Sequence, residues 1–430
     1  MHVAPDPAHF ARAVTELGER RPVVVSAAIY NTQGIKVIDK GVSVDASLYE
    51  RLTQHRLQQP LEQNLSLVPS ITGSSLSDLA RRLIEQEPFL STLLSDLRVR
   101  EQLLEEIKHV PLPHPVAVQL TVLNETRPQA WMHALRSMLV AGWLAGVQEG
   151  GTRHDMRMLA VGGLLYDIGM LHVDPVLQTP QVELTDFQRR HLYTHPLVSV
   201  MVLERHQAFP ADLLRAVLEH HECLDGSGYP RGIGGEAISP WGRILGLTKV
   251  VAALADAGAP RLSVVLRMNW HRYDKGLAVL VERAIAAFRA TPAKSDVDAL
   301  ACLGEVEALL RAWPAEPPAD MKRERREACA VLYGQCAQAL RVLAETGVAG
   351  GQQPTLDAAP LDAAAQGELA LIAHEAAWQL RVVTRQARRR IRDSEGALPA
   401  WLQSWLASAD QLCARMLSDV AGRTVGVPAA

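Results

Sequence analysis

From Ser75 onward the apolar residues of this chain recur with the period of an α-helix, as in Leu76, Leu79, Leu83 and Ile84. The pattern continues, punctuated by glycine and proline, to about residue 292. A pattern of that period does not fit a sheet, so the bulk of the protein is predicted to be helical. Two more helical stretches follow at about 296–311 and 320–346. Between them Trp313-Pro314-Ala315-Glu316-Pro317-Pro318 must interrupt the helix, because proline lacks an amide donor and clashes with the preceding turn. A linker rich in Gly, Gln, Pro and Ala spans about 348–365, and helices at about 366–393 and 400–420 are joined at Gly396 to Pro399. No repeat at a fixed period is visible.

The first 70 residues read differently. The β-branched runs Val23-Val24-Val25 and Ile35-Lys36-Val37-Ile38 lie on either side of a turn at Asn31-Thr32-Gln33-Gly34, which predicts a small hairpin. Asp45 is placed to cap a short helix reaching about His55, and Leu61 to Val68 reads as a further strand. The expected organisation is therefore a small β-rich module over 1–70, a helical domain over 71–296 with its core at 120–260, and a C-terminal helical domain over 297–430. At 430 residues the chain is long enough for each to bury a core.

Charge and cysteine usage narrow the setting. The 44 Lys+Arg against 47 Asp+Glu leave a net charge of −3, so no overall field draws the chain to nucleic acid or an anionic membrane. Arginines 381, 385, 388, 389, 390 and 392 form a basic helix face without interleaved aromatics, and Lys322-Arg323-Glu324-Arg325-Arg326 is a smaller run diluted by Glu. Both read as solvated faces, and no nucleic-acid partner is expected. The longest nearly apolar run, Met138 to Val147, is about half of the ~20 residues that span a bilayer, so it reads as buried helix and no membrane span is expected. The N-terminus has neither a basic start nor an apolar stretch, and the expected setting is cytoplasmic. Cys223, Cys302, Cys329, Cys336 and Cys413 lack CxxC spacing and are expected to be reduced thiols.

Among the 15 histidines, the informative ones lie between residues 133 and 221. The sharpest string is His220-His221-Glu222-Cys223-Leu224-Asp225-Gly226-Ser227-Gly228-Tyr229-Pro230, which follows the helical stretch Ala211 to Glu219. Adjacent imidazoles at a helix end suit a metal cluster, since neutral imidazole is a borderline ligand for Fe, Mn or Zn. A pair of helix-surface histidines is the plainer alternative. The glycines after Asp225 supply positive-φ positions and backbone amides that can approach a phosphate.

This string resembles the signature of the HD-GYP family, a subgroup of HD metal-dependent phosphohydrolases that hydrolyse the bacterial second messenger cyclic di-GMP. The resemblance covers about residues 120–260 in four ordered segments. His133 stands in the first helix, and Leu164-Leu165-Tyr166-Asp167-Ile168-Gly169 stands where the family has its His-Asp run. Leu184-Thr185 precedes His195-Pro196, and the His220 to Pro230 string is followed by Arg243-Ile244-Leu245. The small N-terminal module is also similar to one found in some members. The implied fold is mainly α, an HD-type helical bundle with a β-rich N-terminal module and a C-terminal helical domain.

By this resemblance His133, Asp167, His195, His220 and His221 match family metal ligands. Three positions depart: the dyad histidine is Tyr166, the lysine after the dyad glycine is Met170, and the late aspartate falls at Lys249. The family's first metal position keeps only His133 and Asp167 here and gains the Lys249 ammonium, a change of several kcal/mol against a cation at an effective dielectric of ~20. The second keeps Asp167, His195, His220 and His221. The resemblance thus implies one divalent transition metal rather than two, iron or manganese first and zinc as an option.

The implied ligand is cyclic di-GMP or a related cyclic dinucleotide, with Asp225, Gly226, Gly228, Tyr229 and Pro230 shaping the phosphate and guanine pocket. Asp167 and Lys249 are the candidate catalytic groups. Tyr166 could donate a hydrogen bond or ligate as phenolate, and Lys249 could face a phosphate or snorkel at the pocket edge. Two-metal phosphodiester hydrolysis is sensitive to the loss of one ion, so hydrolysis is expected to be impaired. The alternatives are a dinucleotide sensor signalling through its C-terminal helices, which could hold a protein partner, and an interaction module without catalysis. His154-Asp155, lacking the apolar context of Tyr166-Asp167, reads as a loop or helix-start pair. His374-Glu375-Ala376-Ala377-Trp378 lacks the second histidine of a zincin helix and reads as plain helix. Trp401, Leu402, Trp405 and Leu406 share one helical face, suited to a core or to a partner groove.

Overall fold

The computed structural model describes residues 7–178, 184–286, 298–316, 321–347, 362–392 and 398–417. Most of the expected linker at 348–365, and part of the turn at Gly396 to Pro399, lie outside these residues. The chain divides into two compact units, one of Met1–Ala255 with His271–Ala287 and one of Asp256–Trp270 with Phe288–Ala430. The fold is mainly helical, as the periodicity predicts, with two small sheets near the N-terminus.

The first unit opens with α1 (Pro7–Gly18), whose Phe10, Val14 and Leu17 are buried along one face. Their spacing of four and three was the signal for a helix that the sequence reading did not take up. Four short strands follow: β1 (Val23–Val25), β2 (Ile29–Tyr30), β3 (Lys36–Ile38) and β4 (Leu65–Leu67). The expected hairpin forms between β2 and β3, closed by Asn31, whose Oδ1 accepts the amides of Gln33 and Ile35. The run Val23–Val25 is not its first arm. It pairs antiparallel with β4, Val23 opposite Leu67 and Val25 opposite Leu65. The turn at Asn31 brings only its immediate neighbours across, while pairing with β4 sets four buried apolar side chains on one face. Asp45 accepts the Ser47 amide at the start of a single 3₁₀ turn that leads into α2 (Tyr49–Gln54), close to the cap expected.

The helical part of this unit comprises α3 (Gly73–Gln86), α4 (Pro88–Leu93), α5 (Leu97–Lys108), α6 (His114–Thr126), α7 (Pro128–Val147), α8 (Arg153–Leu165), α9 (Asp186–Leu192), α10 (His195–Glu204), α11 (Ala211–Glu219) and α12 (Pro240–Leu254). Helix α7 starts on a proline, and its Met138–Ala145 stretch is buried on every side, as expected of a core helix. It packs against α8 so closely that a Cβ at Gly163 would stand 2.3 Å from the Ser137 carbonyl oxygen. That approach brings His133 and Ser137 opposite the end of α8, where the chain leaves the helix at Tyr166 and Asp167. His154 and Asp155 lie in the first turn of α8, where Asp155 closes a capping box with Thr152, the helix-start reading.

Helices α11 and α12 are joined at their near ends by Glu219, a fully buried carboxylate. It accepts the Ser239 amide at 2.8 Å, the Ser239 hydroxyl at 2.6 Å, Arg215 at 2.9 Å and Arg231 at 2.7 Å. Four donors satisfy the buried charge, and burial's upward push on its pKa is outweighed.

The remaining helices are α13 (Ala259–Met268), α14 (Lys275–Ile285), α15 (Ala299–Arg311), α16 (Arg323–Glu345), α17 (Ala363–Arg392) and α18 (Ala400–Leu417). Helix α14 belongs to the first unit, and the other five build the second around Leu332, Leu380 and Leu402. Leu402, Trp405 and Leu406 are buried there, and Trp401 packs at the edge with its ring on Trp313, so this helical face serves the core. In the basic series Arg388 pairs with Asp410. All five cysteines are free and buried. Among the described residues no helix is long and apolar enough to cross a membrane.

Candidate metal centre

Three loops and helix ends meet at one point in the first unit. Asp167 comes from the turn after α8, His195 from the first residue of α10, and His220 and His221 from the end of α11. One potential ligand atom from each of the four lies within 4.8 Å of all the others. The three histidines are buried, and Asp167 is half-buried.

The hydrogen bonds of the first three fix their chemistry. His195 Nδ1 lies 2.8 Å from the Leu192 carbonyl oxygen and His220 Nδ1 lies 2.6 Å from that of Val217. A carbonyl only accepts, so each Nδ1 carries a proton, and in a neutral ring the bare nitrogen is then Nε2, which both rings turn inward. Those two Nε2 atoms are 3.3 Å apart, and they stand 3.1 and 3.3 Å from Asp167 Oδ1. With both rings in that form, three acceptors converge on one point. Burial lowers the His220 pKa, which favours its neutral ring, and one carboxylate with imidazole nitrogens suits Fe, Mn or Zn.

His221 completes the cluster in a different state. Its Nδ1 is 2.8 Å from Nζ of Lys249, and burial followed by the lysine's charge drives its pKa well below the ordinary value. Burial also pushes Lys249 down to about 8. Lys249 is therefore neither at the pocket edge nor reaching outward. It is buried beneath His221.

His133 stands beside this group, with Nε2 4.0 Å from Asp167 Oδ2. That same Nε2 is 2.8 Å from the Tyr166 hydroxyl, which in turn is 2.7 Å from Ser137 Oγ. Tyr166 is fully buried with its ring on His220 at 4.6 Å, and burial, then the charge of Asp167, raises its pKa well above 10. Its hydroxyl is engaged on both sides, and burial favours the neutral phenol. Met170, where the family has lysine, offers its carbonyl oxygen to Arg127 at 2.6 Å.

The turn from Asp225 to Pro230 folds back on the cluster. Gly226 has φ +74°, and a Cβ at Gly228 would stand 2.4 Å from the His221 carbonyl oxygen. The Tyr229 ring lies between those of His221 and Tyr193, with centroids at 4.3 and 4.0 Å. The amides expected to approach a phosphate are largely used within the loop. Those of Gly226, Ser227 and Tyr229 donate to Cys223, Asp225 and His221, and those of Arg231 and Ile233 donate to the Glu222 carboxylate. Pro230 and Asp225 are exposed. Sequence reasoning did not single out Ser137 or Tyr193, whose roles depend on contacts remote in sequence. Tyr193, two residues before His195, was the one within reach.

Residues 126–268 match the family profile described as the HD domain, and the four clustered residues fall inside that span. This part of the chain is an HD domain. It is distantly homologous to phosphodiesterases of the HD-GYP type. The chain is similar to the 3'3'-cGAMP-specific phosphodiesterase 3 of Vibrio cholerae, 26% identical over 236 residues that make up 53% of this chain and 49% of that protein. It is also similar to a cyclic di-GMP phosphodiesterase of the same organism, 32% identical over 38% of this chain and 35% of the other. The chain thus spans half or less of the length of these curated relatives. The solved structure of Bd1817, a HDG"Y"P protein from Bdellovibrio bacteriovorus, aligns with a TM-score of 0.33 and 12% identity over 61% of this chain and 95% of that one.

Proposed function

We propose that the HD domain of this chain binds a cyclic dinucleotide, cyclic di-GMP or a close relative, at a centre where Asp167, His195, His220 and His221 hold one divalent iron, manganese or zinc ion, and that its phosphodiesterase activity is impaired. The observation that carries the reading is the convergence of Asp167 Oδ1 with the inward-facing Nε2 atoms of His195 and His220 at 3.1 to 3.3 Å, three electron-pair donors placed for one divalent cation. The relatives' substrates supply the ligand class. When bound, the ion supplies a Lewis acid and lowers the pKa of water for attack on phosphorus. The chain's own residues hold that chemistry in place. The carbonyls of Leu192 and Val217 set the tautomers of His195 and His220, and Glu222 gathers the loop that ends at Pro230 into one wall of the pocket. Hydrolysis adds the water oxygen to phosphorus as the bond to a ribose oxygen breaks, leaving a linear dinucleotide.

Impairment follows from the neighbouring position. His133 is paired with the Tyr166 phenol, and Lys249 brings a cation beneath His221, so a second ion has lost both a ligand and a favourable field. The same pair of contacts favours a second reading, a receptor that retains the dinucleotide without cleaving it. Anaerobic incubation of the purified protein with cyclic di-GMP and Mn or Fe, with chromatography of products and metal counted per chain, separates the two. Slow product formation at about one metal per chain is the expected result. Intact nucleotide retained with the metal makes the protein a receptor, and absence of both metal and nucleotide from the protein removes the proposal.

A further inference from the structure

His220 and His221 lie just beyond the last turn of α11, so the helix ladder alone does not hold the string that carries them. On the near side the Glu222 amide donates to the Glu219 carbonyl at 2.7 Å, and on the loop side the Glu222 carboxylate accepts two amides. The far side is held by a segment about fifty residues later. The Arg272 carbonyl oxygen accepts the Leu224 amide at 3.0 Å, and the Arg272 guanidinium donates from Nη2 to Cys223 Sγ at 3.3 Å. The preceding residue, His271, sets Nε2 3.5 Å from Asp225 Oδ2, and Asp274 stands 3.4 Å from Arg243 on α12. Three consecutive residues of the string, 223 to 225, are therefore grasped by two consecutive residues, 271 and 272.

We infer that Arg272 is a positioning residue for the metal centre, acting through Cys223 and Leu224 to fix the His220-His221 string. The inference rests on the proposed metal reading and adds a residue outside the matched span of the HD domain. Cys223 is buried and separated from His221 by one residue, so a guanidinium on its sulfur limits rotation of the chain that carries the imidazole. Partners beyond the ligands that orient a metal site change its affinity when removed, by about 10- to 100-fold in known sites.

The test uses the full-length apo protein titrated with Co(II), read by visible d–d absorption and by affinity, with amide hydrogen exchange of residues 220–226 measured in the metal-free state. Arg272→Ala is expected to weaken Co(II) binding by about tenfold or more, to shift the d–d bands, and to speed exchange at Leu224. Arg272→Lys keeps a donor without the planar fork and is expected to recover part of the affinity. A residue that only supported the fold would lower the melting temperature and leave the bands of the folded protein unchanged. If Arg272→Ala does not fold, Cys223→Ala, which removes the sulfur acceptor alone, is expected to shift the bands in the same direction. Wild-type bands and affinity in the folded variants overturn the inference and leave the metal reading standing. A wild-type chain that takes up no Co(II) removes the metal reading and this inference together.

Discussion

Nζ of Lys249 stands 2.8 Å from Nδ1 of His221, and both side chains are buried. An ammonium donates to Nδ1 only while that nitrogen keeps its lone pair, which leaves the proton of a neutral ring on Nε2. Ligation by His221 therefore requires Lys249 to give up either this bond or, for ligation through Nε2, its own extra proton. Removing the charge should help the ion. Lys249→Met is expected to raise Mn(II) affinity by at least about tenfold, since even a few kcal/mol of repulsion at an effective dielectric of ~20 exceeds the 1.4 kcal/mol that a factor of ten requires. Lys249→Arg, which keeps the charge, is expected to give no gain. Calorimetric titration of the three proteins decides it, and equal affinities would show that Lys249 does not oppose the metal.

By the family resemblance Tyr166 takes the place of a dyad histidine that would help hold a second ion, and its phenol is bonded to Ser137 and His133. Restoring the family residues as Tyr166→His with Lys249→Asp frees His133 and supplies a carboxylate where the cation was. Metal content is expected to rise from about one to two per chain, and hydrolysis of cyclic di-GMP is expected to rise with it. A double variant that carries both ions and still turns over nothing would defeat the account of impairment by metal loss.

Metal should also stabilise the first unit. Asp167, His195 and His220 converge only in the folded chain, so the ion binds the native state and shifts unfolding by mass action. At a free metal concentration of 100 times Kd the gain is about 2.7 kcal/mol. It should vanish on adding a chelator and be absent in Asp167→Ala. Chemical denaturation with and without Mn(II) measures it, and an equal gain in Asp167→Ala would place the binding elsewhere.

The four clustered residues were legible because a metal centre needs particular side-chain types, and these stood in the family's order at the ends of helices that the hydrophobic period already marked. The resemblance marks Tyr166, Met170 and Lys249 as departures, but their partners in space are not legible from the sequence. Nothing local to Lys249 says that its amine turns toward His221, and nothing near Tyr166 points to Ser137, 29 residues earlier. The same limit explains the strand pairing. Val23–Val25 is three residues long, too short to carry register, and its partner at Leu65–Leu67 is chosen by burial on a shared face. The glycines of the turn at Asp225 to Pro230 permit an open phosphate cradle, whereas the amides of Gly226, Ser227 and Tyr229 are taken by Cys223, Asp225 and His221.

The second unit carries its own pH dependence. His374 on α17 has a buried Nε2 without a hydrogen-bond partner among the described residues, and burial, then the charge of Arg261, pushes its pKa down to about 4. A histidine lowered in the folded state contributes stability in full above its unfolded pKa of about 6.5 and loses it as pH falls through the folded value. The sign is therefore loss on acidification, by up to ~3 kcal/mol between pH 6.5 and 4. His374→Gln cannot take up that proton and is expected to show a flatter decline over the same window. Urea unfolding at pH 7, 6 and 5 compares the two, and parallel declines would show that His374 does not protonate on unfolding.

Gly228 has no room for a side chain. A Cβ there would stand 2.4 Å from the His221 carbonyl oxygen, 2.5 Å from Glu222 Cα and 2.6 Å from the Cys223 amide nitrogen, all backbone atoms that no rotamer change can move. Gly228→Ala must therefore displace either the turn or the string that carries His220 and His221. Displacing the turn also separates Tyr229 from the His221 ring it stacks on at 4.3 Å, so both ways out disturb the same imidazole. Overpacking of this kind costs about 1–3 kcal/mol, which a unit of this size should survive folded. The expected phenotype is a folded protein with slightly lower stability and metal affinity reduced by about tenfold or more, the scale on which misplaced ligands and their supports are felt. Gly226→Ala is the comparison. It strains a φ of +74° without meeting backbone closer than 3.6 Å, so it should lose stability with little change in metal affinity. Metal titration of both variants separates close approach from backbone conformation, and equal affinities in the two would show that the turn does not set the position of His221.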